Sequence, residues 1–187
     1  MMVEFLETER LILRPLKLDD ADRLFLLDSN SEVMKYIGVK PLTEVKESVE
    51  VIQRIQKQYT ENEIGRFAVI EKASDLLIGW CGLKFLTEEI NGFNNVYDLG
   101  YRFLPEFWGK GYAQESAKAW LDFGFNEMNL KTIYACAHSE NIASNTILKK
   151  LGFQEKNTFL EHDGECFWYE MEKDNFKLFN TPSKSTI

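Results

Sequence analysis

The sequence of 187 residues predicts a mixed α/β fold in a single domain. Stretches in which apolar and polar residues alternate indicate strands, and they are interspersed with stretches whose apolar residues recur every three or four positions, as in amphipathic helices. No internal repeat or linker divides the chain, and its length suffices for one well-formed core. We expect the domain to span residues 1–175 and residues 176–187 to form a C-terminal tail.

The first half of the chain is predicted to contribute a strand, two helices and two further strands. Apolar and polar residues alternate in the first strand, at 7–16. Asp19 and Asp20 are suitable N-caps for a short helix, and Thr43 for a longer helix with an apolar stripe. The two further strands are expected at 67–70 and 77–85.

The second half is organised around a central strand, near 97–104, that leads into a long amphipathic helix. This helix is expected to begin near Ala113 and to bury one apolar face. A strand at 131–138 follows, and then a helix for which Asn141 is a good N-cap and Gly152 a good C-terminal glycine. A hairpin of strands at 153–161 and 166–172 is expected to complete the domain.

A short loop containing Gly109 and Gly111 joins the central strand to the long helix. A helix N-terminus presents unpaired N–H groups and the positive end of the helix dipole, and glycines let a ligand approach the backbone closely. A phosphate group suits such a site, although an ordinary turn explains a lone glycine pair equally well. Gln114 replaces the small residue of the dinucleotide-binding fingerprint, and the chain lacks the Gly-Lys-Ser/Thr of a P-loop.

The run Trp108-Gly109-Lys110-Gly111-Tyr112-Ala113 resembles the acetyl-CoA pyrophosphate loop of the GNAT N-acetyltransferase superfamily, whose pattern is Gln/Arg-x-x-Gly-x-Gly/Ala. Trp108 replaces the usual Gln or Arg, as in the branch that includes the Rim-type ribosomal-protein acetyltransferases. The opening Glu-Thr-x-Arg-Leu-x-Leu-Arg-Pro resembles the same branch. The segment that begins at Asn141 resembles the GNAT segment that closes over the pantetheine arm, so the resemblance covers about residues 6–174.

This resemblance implies a GNAT fold with a mostly antiparallel central sheet of six to seven strands, about four flanking helices, and central strands splayed around the cofactor. It implies direct acetyl transfer from acetyl-CoA to a primary amine, with the N-terminal α-amino group of a protein as the favoured acceptor. A polyamine, an amino acid or an amine antibiotic is the alternative acceptor. A non-catalytic acyl-CoA-binding module is the alternative of another class.

The resemblance also implies which residues hold acetyl-CoA. They lie at the end of the central strand, in the glycine loop and in the later helix: Arg102, Phe103, Leu104, Trp108, Gly109, Lys110, Gly111, Tyr112, Ala113, Gln114, Asn141, Ser144, Asn145 and Lys150. A backbone N–H near Phe103 or Leu104 is expected to stabilise the oxyanion.

Three side chains are the candidates for proton transfer. Asp98 is the favoured base because relatives often carry a glutamate on this strand, and Glu115 is the second candidate. Relatives with a tyrosine acid carry it four residues after the position of Ser144; here Leu148 stands there, which leaves Ser144 or water as the proton source. Structural alternatives stay open: an exposed Asp98, a Glu115 that complements the helix dipole, and a Ser144 that belongs only to the helix start.

Charge and composition limit the partners. The net charge of −8 disfavours nucleic-acid binding and suits a cationic partner, although it serves solubility equally well. Three cysteines and two histidines offer no zinc-ligand spacing, so no metal is expected. No apolar run reaches membrane-spanning length and no signal peptide is visible, so we expect a cytoplasmic protein with reduced thiols. A homodimer is expected on base rates alone.

Overall fold

The structure, a computed structural model, describes residues 3–161 and 164–180. Its strands are β1 (Leu6–Glu7), β2 (Leu11–Pro15), β3 (Arg66–Glu71), β4 (Leu76–Leu86), β5 (Val96–Phe103), β6 (Thr132–His138), β7 (Gln154–Glu161) and β8 (Gly164–Glu172). Its α-helices are α1 (Ala21–Asp28), α2 (Ser31–Met34), α3 (Val45–Asn62), α4 (Tyr112–Asp122), α5 (Ile142–Leu151) and α6 (Lys173–Asn180). No helix in the described ranges is long and apolar enough to cross a membrane.

The strands form one open sheet in the order β1-β2-β3-β4-β5-β6-β8-β7. Every neighbouring pair is antiparallel except β5 and β6, which are parallel and pair only through Asp98 and Tyr134. Beyond this pair the two strands separate and leave a gap in the middle of the sheet. The mixed α/β fold and the splayed central strands are therefore confirmed.

Within residues 3–161 and 164–180 the sheet has eight strands instead of the predicted six to seven, and there are six α-helices instead of about four. The predicted strand at 7–16 is two strands, because the Thr8 N–H donates to the Leu11 carbonyl at 3.0 Å and turns the chain back on itself. The additional helices are the single turn α2 and the C-terminal helix α6.

Three of the predicted helix caps differ from the structure. Asp19 and Asp20 lie in a 3-10 turn before α1. Asp20 is the N-cap residue of α1, but its carboxylate accepts no N–H of that helix; it binds Arg14 at 2.8 Å and accepts the Lys17 N–H of the 3-10 turn at 2.8 Å. The N-cap of α3 is Glu44 instead of Thr43, and Glu47 accepts both N–H groups.

The helix α5 begins and ends as predicted. The Asn141 carboxamide oxygen accepts the Ser144 N–H at 3.1 Å, and Gly152 adopts a φ of 94° at the C-terminal end. Both predictions were possible because helix caps depend on neighbours in sequence.

Helices cover both faces of the sheet. On one face α4 buries Trp120 completely, and its ring meets Phe67 edge to face at a centroid distance of 4.9 Å. On the other face, α1 and α2 approach β5, where the Arg102 guanidinium contacts Asp28 at 2.5 Å and the Met34 sulfur at 3.3 Å. These two helical layers define the two sides of the gap between β5 and β6.

The C-terminal helix continues past the boundary that the sequence predicted at residue 175. Phe176, on α6, is only 5% exposed and packs against Phe125 at a ring-centroid distance of 5.0 Å. Residues 176–180 are thus helical, and Phe176 belongs to the core. The rest of the predicted tail, 181–187, lies outside the described residues.

Candidate active site

A cavity of about 410 Å³ occupies the gap between β5 and β6. Successive side chains on a strand point to opposite faces, so Asp98 and Tyr101 lie on opposite faces of β5, yet both line this cavity. The cavity therefore passes through the sheet and has two mouths. The Asp98 mouth lies on the α1–α2 side and includes Tyr36, Arg66, Trp80, Lys84, Asp98, Cys136, His138 and Glu161; the Tyr101 mouth includes Tyr101, Asn141, Ser144 and Leu148.

Asp98 is buried at its mouth of the cavity and bound to an arginine. The residue is 8% exposed, so it is not the exposed strand residue of the structural alternative. Its carboxylate forms an ion pair with the Arg66 guanidinium, which also donates to the Asp98 carbonyl at 2.7 Å. Burial raises the pKa of Asp98, while the cations of Arg66 and Lys84 oppose this shift. A buried carboxylate with a raised pKa in a cavity has the properties of a general base.

Glu115, the second candidate base, lies outside this cavity. It lines a more open groove of about 460 Å³ beside α4. Its carboxylate accepts the Thr8 hydroxyl at 2.6 Å, the Arg10 N–H at 3.0 Å and Arg10 Nε at 2.7 Å. Burial raises the pKa of Glu115, but these hydrogen bonds more than offset it and leave the pKa lowered. Glu115 thus ties α4 to β1 and β2 and does not meet Asp98.

Tyr101 and Ser144 meet at the other mouth. The Tyr101 hydroxyl lies 3.2 Å from Ser144 Oγ and 3.2 Å from the Ser144 carbonyl oxygen. Burial raises the pKa of Tyr101, so its phenol keeps its proton at neutral pH. Asn141, whose side chain holds the Ser144 N–H, completes this mouth. Two hydroxyl groups are therefore available to donate protons on the side opposite Asp98.

The glycine loop has the conformation that a phosphate site requires. Gly109 and Gly111 adopt φ values of 72° and 85°, which residues with a side chain rarely adopt. Gly111 is the N-cap of α4. No atom lies within 4 Å of where a Cβ of Gly109 would be, so the backbone is open on that side. Arg10 Nη1 holds the Lys110 carbonyl at 3.0 Å. The first N–H groups of α4 have no partner inside the helix and remain for a ligand.

Trp108 connects this loop to the end of β5. Its indole N–H donates to the Phe103 carbonyl at 2.7 Å, while 48% of the residue remains exposed. The Leu104 N–H donates to the Ile78 carbonyl at 3.0 Å and is already used. The N–H groups of successive strand residues point to opposite sides, so the Phe103 N–H does not point toward β4 as the Leu104 N–H does. The Phe103 N–H is therefore the remaining one of the two expected oxyanion donors.

The other residues of the loop and of the first turn of α4 differ in exposure, and Tyr112 is buried. Lys110 is exposed, with its ammonium 5.2 Å from the Phe107 ring, and Gln114 is exposed. Ala113 is half-buried. The Tyr112 hydroxyl donates to Glu71, and the Arg10 guanidinium covers its ring. On α5, the Lys150 side chain is exposed.

Two residues predicted to bind the cofactor have their polar groups occupied by the protein. Arg102 points to the α1–α2 face, where it pairs with Asp28. Asn145 is buried; its amide donates to the His138 carbonyl at 3.0 Å and its oxygen accepts the Tyr169 hydroxyl at 2.9 Å. The structure does not bring these two side chains to the glycine loop.

Sequence reasoning missed Arg66, Trp80 and Tyr101. Two glycines were the available signal, because Gly82 on β4 and Gly100 on β5 are neighbours in register and leave space on the face that carries Asp98. Alternation along β5 would likewise have placed Tyr101 on the face opposite Asp98.

Two thiols, those of Cys136 and Cys166, line the cavity, and burial raises the pKa of each. Burial raises the pKa of Cys136 well above its usual value, and the nearby carboxylates of Asp98 and Glu161 raise it further. The thiol therefore stays protonated at neutral pH. No group of three or more His, Cys, Asp or Glu side chains in residues 3–161 and 164–180 is arranged to hold a metal ion.

The family model described as an acetyltransferase (GNAT) domain matches residues 10–154 of this chain. An uncharacterized N-acetyltransferase p20 of Bacillus licheniformis is 36% identical over 161 residues, which cover 86% of this chain and 88% of that protein. A spermidine N(1)-acetyltransferase of Escherichia coli K12 is 33% identical over 144 residues, 75% of this chain and 71% of that protein.

Solved structures share the fold. A GNAT-family acetyltransferase from Bacillus anthracis superposes with a TM-score of 0.78 at 26% identity, covering 91% of this chain and 99% of that one. A ribosomal-protein-S5-alanine acetyltransferase from Vibrio fischeri superposes with a TM-score of 0.69 at 18% identity, covering 92% and 98%. The second likeness, at this low identity, concerns the fold alone.

Proposed function

Because the chain belongs to the GNAT acetyltransferase family, and is thus an N-acetyltransferase, we propose that it acetylates an α-amino group, namely the N-terminal amine of a protein. The observation that carries the proposal is the cavity through the sheet, with Asp98 at one mouth and the Tyr101–Ser144 pair at the other. A proton acceptor and proton donors on opposite sides of one gap suit direct transfer from a thioester to an amine.

The start of α4 fits the pyrophosphate of acetyl-CoA, the thioester that the family uses. The N–H groups that follow Gly109 and Gly111 form an anion site, and the exposed Lys110 adds a positive charge. When bound, acetyl-CoA supplies the activated acetyl group. The proposed role of the Phe103 N–H is to stabilise negative charge on the carbonyl oxygen.

Asp98 acts in this proposal as the base that takes the proton of the bound ammonium. An α-amino group has a pKa of about 7.7–8.0, so a carboxylate or a carboxylate-bound water suffices to deprotonate it. On the opposite side, Ser144 or Tyr101 supplies the proton that the leaving thiolate requires. The protonated Cys136 supports transfer without an acyl-enzyme.

The charges at the Asp98 mouth favour an acceptor with a single amine over a polyamine. Lys35, Arg66 and Lys84 line the cavity together with two carboxylates, Asp98 and Glu161. Arg66 is paired with Asp98, whereas Lys84 has no ion pair within the part of the chain that the structure describes. A polyamine would bring its second and third positive charges toward Lys84, and like charges within one cavity repel each other. The net charge of −8 for the whole chain thus does not describe the local charge at the proposed acceptor site.

The acceptor is tested by following thiol release from acetyl-CoA with three amines: a peptide with a free N-terminus, the same peptide with a blocked N-terminus and an internal lysine, and spermidine. We expect kcat/KM to be highest for the free N-terminus, and mass spectrometry to find one acetyl group on it. Lys84→Glu should raise kcat/KM for spermidine at least about tenfold, since a repulsive charge becomes attractive.

Lys118→Glu is the matched control, because it makes the same charge change on α4, beside the other groove. A wild-type preference for spermidine over the free N-terminus would overturn the proposed acceptor.

We also propose a cytoplasmic location, which the free thiols of Cys81, Cys136 and Cys166 support.

A further inference from the structure

Arg66 reaches Asp98 across an intervening strand. Arg66 lies on β3 and Asp98 on β5, and adjacent strands are about 4.8 Å apart, so the side chain spans roughly 10 Å over β4. Its Nη1 donates to the carbonyl oxygens of Gly82, on β4, and of Asp98, while Nη2 binds Asp98 Oδ2. The guanidinium is thus held by three acceptors on two strands.

Two glycines leave the space in which this side chain lies. Gly82 is opposite Arg66 in the β3–β4 register and opposite Gly100 in the β4–β5 register. A Cβ at Gly100 would lie 2.6 Å from Arg66 Nη2 and 2.7 Å from Arg66 Cζ, distances that contacting atoms do not adopt. Even an alanine at position 100 would therefore displace the guanidinium from Asp98. The Trp80 ring covers the guanidinium at 5.5 Å from its centroid.

We propose that Arg66 is a positioning residue, which fixes the orientation and the ionisation of the Asp98 carboxylate, and that Gly100 is required because the guanidinium occupies the space above it. The inference rests on the proposed function, in which Asp98 is the base. Arg66 engages Oδ2, and no described residue donates to Oδ1, which leaves that oxygen for the amine.

The charged and titratable groups that face Asp98 determine the direction of the effect. Lys84 is its cross-strand neighbour on β4, Tyr134 its partner on β6, and Cys136, His138 and Glu161 line the same mouth. Burial raises the pKa of Asp98, and Arg66 counteracts this rise more strongly than Lys84 does. Without the guanidinium the pKa of Asp98 should rise, because the burial of the carboxyl group favours the neutral acid.

The test measures the pKa of Asp98 directly, by carbon NMR of the full chain labelled at aspartate carboxyl groups, with Asp98→Asn identifying the signal. We expect Arg66→Met to raise this pKa by about 1–3 pH units, the usual effect of an arginine on a neighbouring carboxylate. Arg66→Lys should restore part of the difference. Gly100→Ala should raise the pKa in the same direction although Arg66 is still present.

Arg14→Met is the control, since it removes a similar arginine–aspartate pair, with Asp20, and neither residue lines the cavity. An unchanged Asp98 pKa in folded Arg66→Met, or in folded Gly100→Ala, would overturn the inference. The acid limb of the kcat profile, measured with two amines of different pKa, tests the proposed function separately. If the NMR pKa moves and the limb does not, the inference about Arg66 stands and Asp98 is not the base.

Discussion

Tyr101 and Ser144 carry hydroxyl groups 3.2 Å apart, and only one of them was recognised from the sequence. The tyrosine that some GNAT relatives carry on α5 is replaced by Leu148, which is buried. Tyr101 reaches the same mouth from β5 instead. A phenol with a raised pKa is a weak acid, but it holds the Ser144 hydroxyl in position and can pass a proton through it. We propose that the two hydroxyls form one proton-donating unit.

We predict that Tyr101→Phe and Ser144→Ala each lower kcat by about ten- to a hundredfold. The reason is that the leaving thiolate loses its proton source, which higher pH cannot replace, so both variants should stay slow at alkaline pH. Rate profiles from pH 6 to 10 with one peptide substrate provide the measurement. Tyr97→Phe is the control, because Tyr97 lies on the same strand and packs against Phe85. Recovery of Tyr101→Phe at high pH would contradict the role.

The double variant shows whether the two hydroxyls act together. If they form one unit, Tyr101→Phe combined with Ser144→Ala should be no slower than the slower single variant. Multiplication of the two losses would mean that each hydroxyl acts separately.

The N-terminus of α4 depends on contacts with the first two strands. Thr8 and Arg10 bind the Glu115 carboxylate, and Arg10 also binds the Lys110 carbonyl within the glycine loop. One arginine thus joins the helix start, the loop and β2. These contacts hold the opening segment against the glycine loop and the start of α4.

We predict that Glu115→Gln raises the KM for acetyl-CoA about two- to fivefold and leaves kcat and its pH profile unchanged. The loss of the ion pair frees Arg10, which then restrains the loop less well. The effect is modest because Arg10 is partly exposed. Steady-state kinetics at saturating peptide provide the measurement, with Asp122→Asn, at the other end of α4, as control. A lower kcat that returns at high pH would instead identify Glu115 as a base.

Much of the fold could be predicted because strands and helices depend on local patterns. The long helix, the cap at Asn141 and the glycine loop at Gly109 and Gly111 are properties of neighbouring residues, and the structure has each of them. The number of strands was harder to predict, because the turn at Thr8 has no glycine or proline to mark it.

Contacts between distant strands could not be predicted in the same way. The pairing of Arg66 with Asp98 depends on the registers of β3, β4 and β5, and sequence spacing carries no information about them. The resemblance assigned Arg102, at the end of the central strand, to the cofactor, but alternation along the strand directs its side chain to Asp28 on α1. The side on which a polar residue lies was thus the missing information.

Ligand binding should stabilise the whole domain, since the proposed acetyl-CoA site joins β5, α4 and α5. A ligand that binds only the folded state raises the free energy of unfolding by about 2.7 kcal/mol at a concentration of 100 times Kd. For a domain of this size, 1 kcal/mol corresponds to about 2–4 °C in Tm. We therefore predict that saturating acetyl-CoA raises the Tm by about 5–10 °C, measured by calorimetry.

Gly111→Val should abolish most of this rise. Position 111 has a φ of 85°, which a β-branched residue avoids, and the added side chain would stand among the N–H groups proposed to bind the pyrophosphate. The variant will be less stable without ligand, so the informative quantity is the rise in Tm with acetyl-CoA and not the Tm itself. Gly92→Val is the matched control, because Gly92 also has a positive φ, of 78°, in a turn away from the loop. A full rise in Gly111→Val would show that the pyrophosphate binds elsewhere.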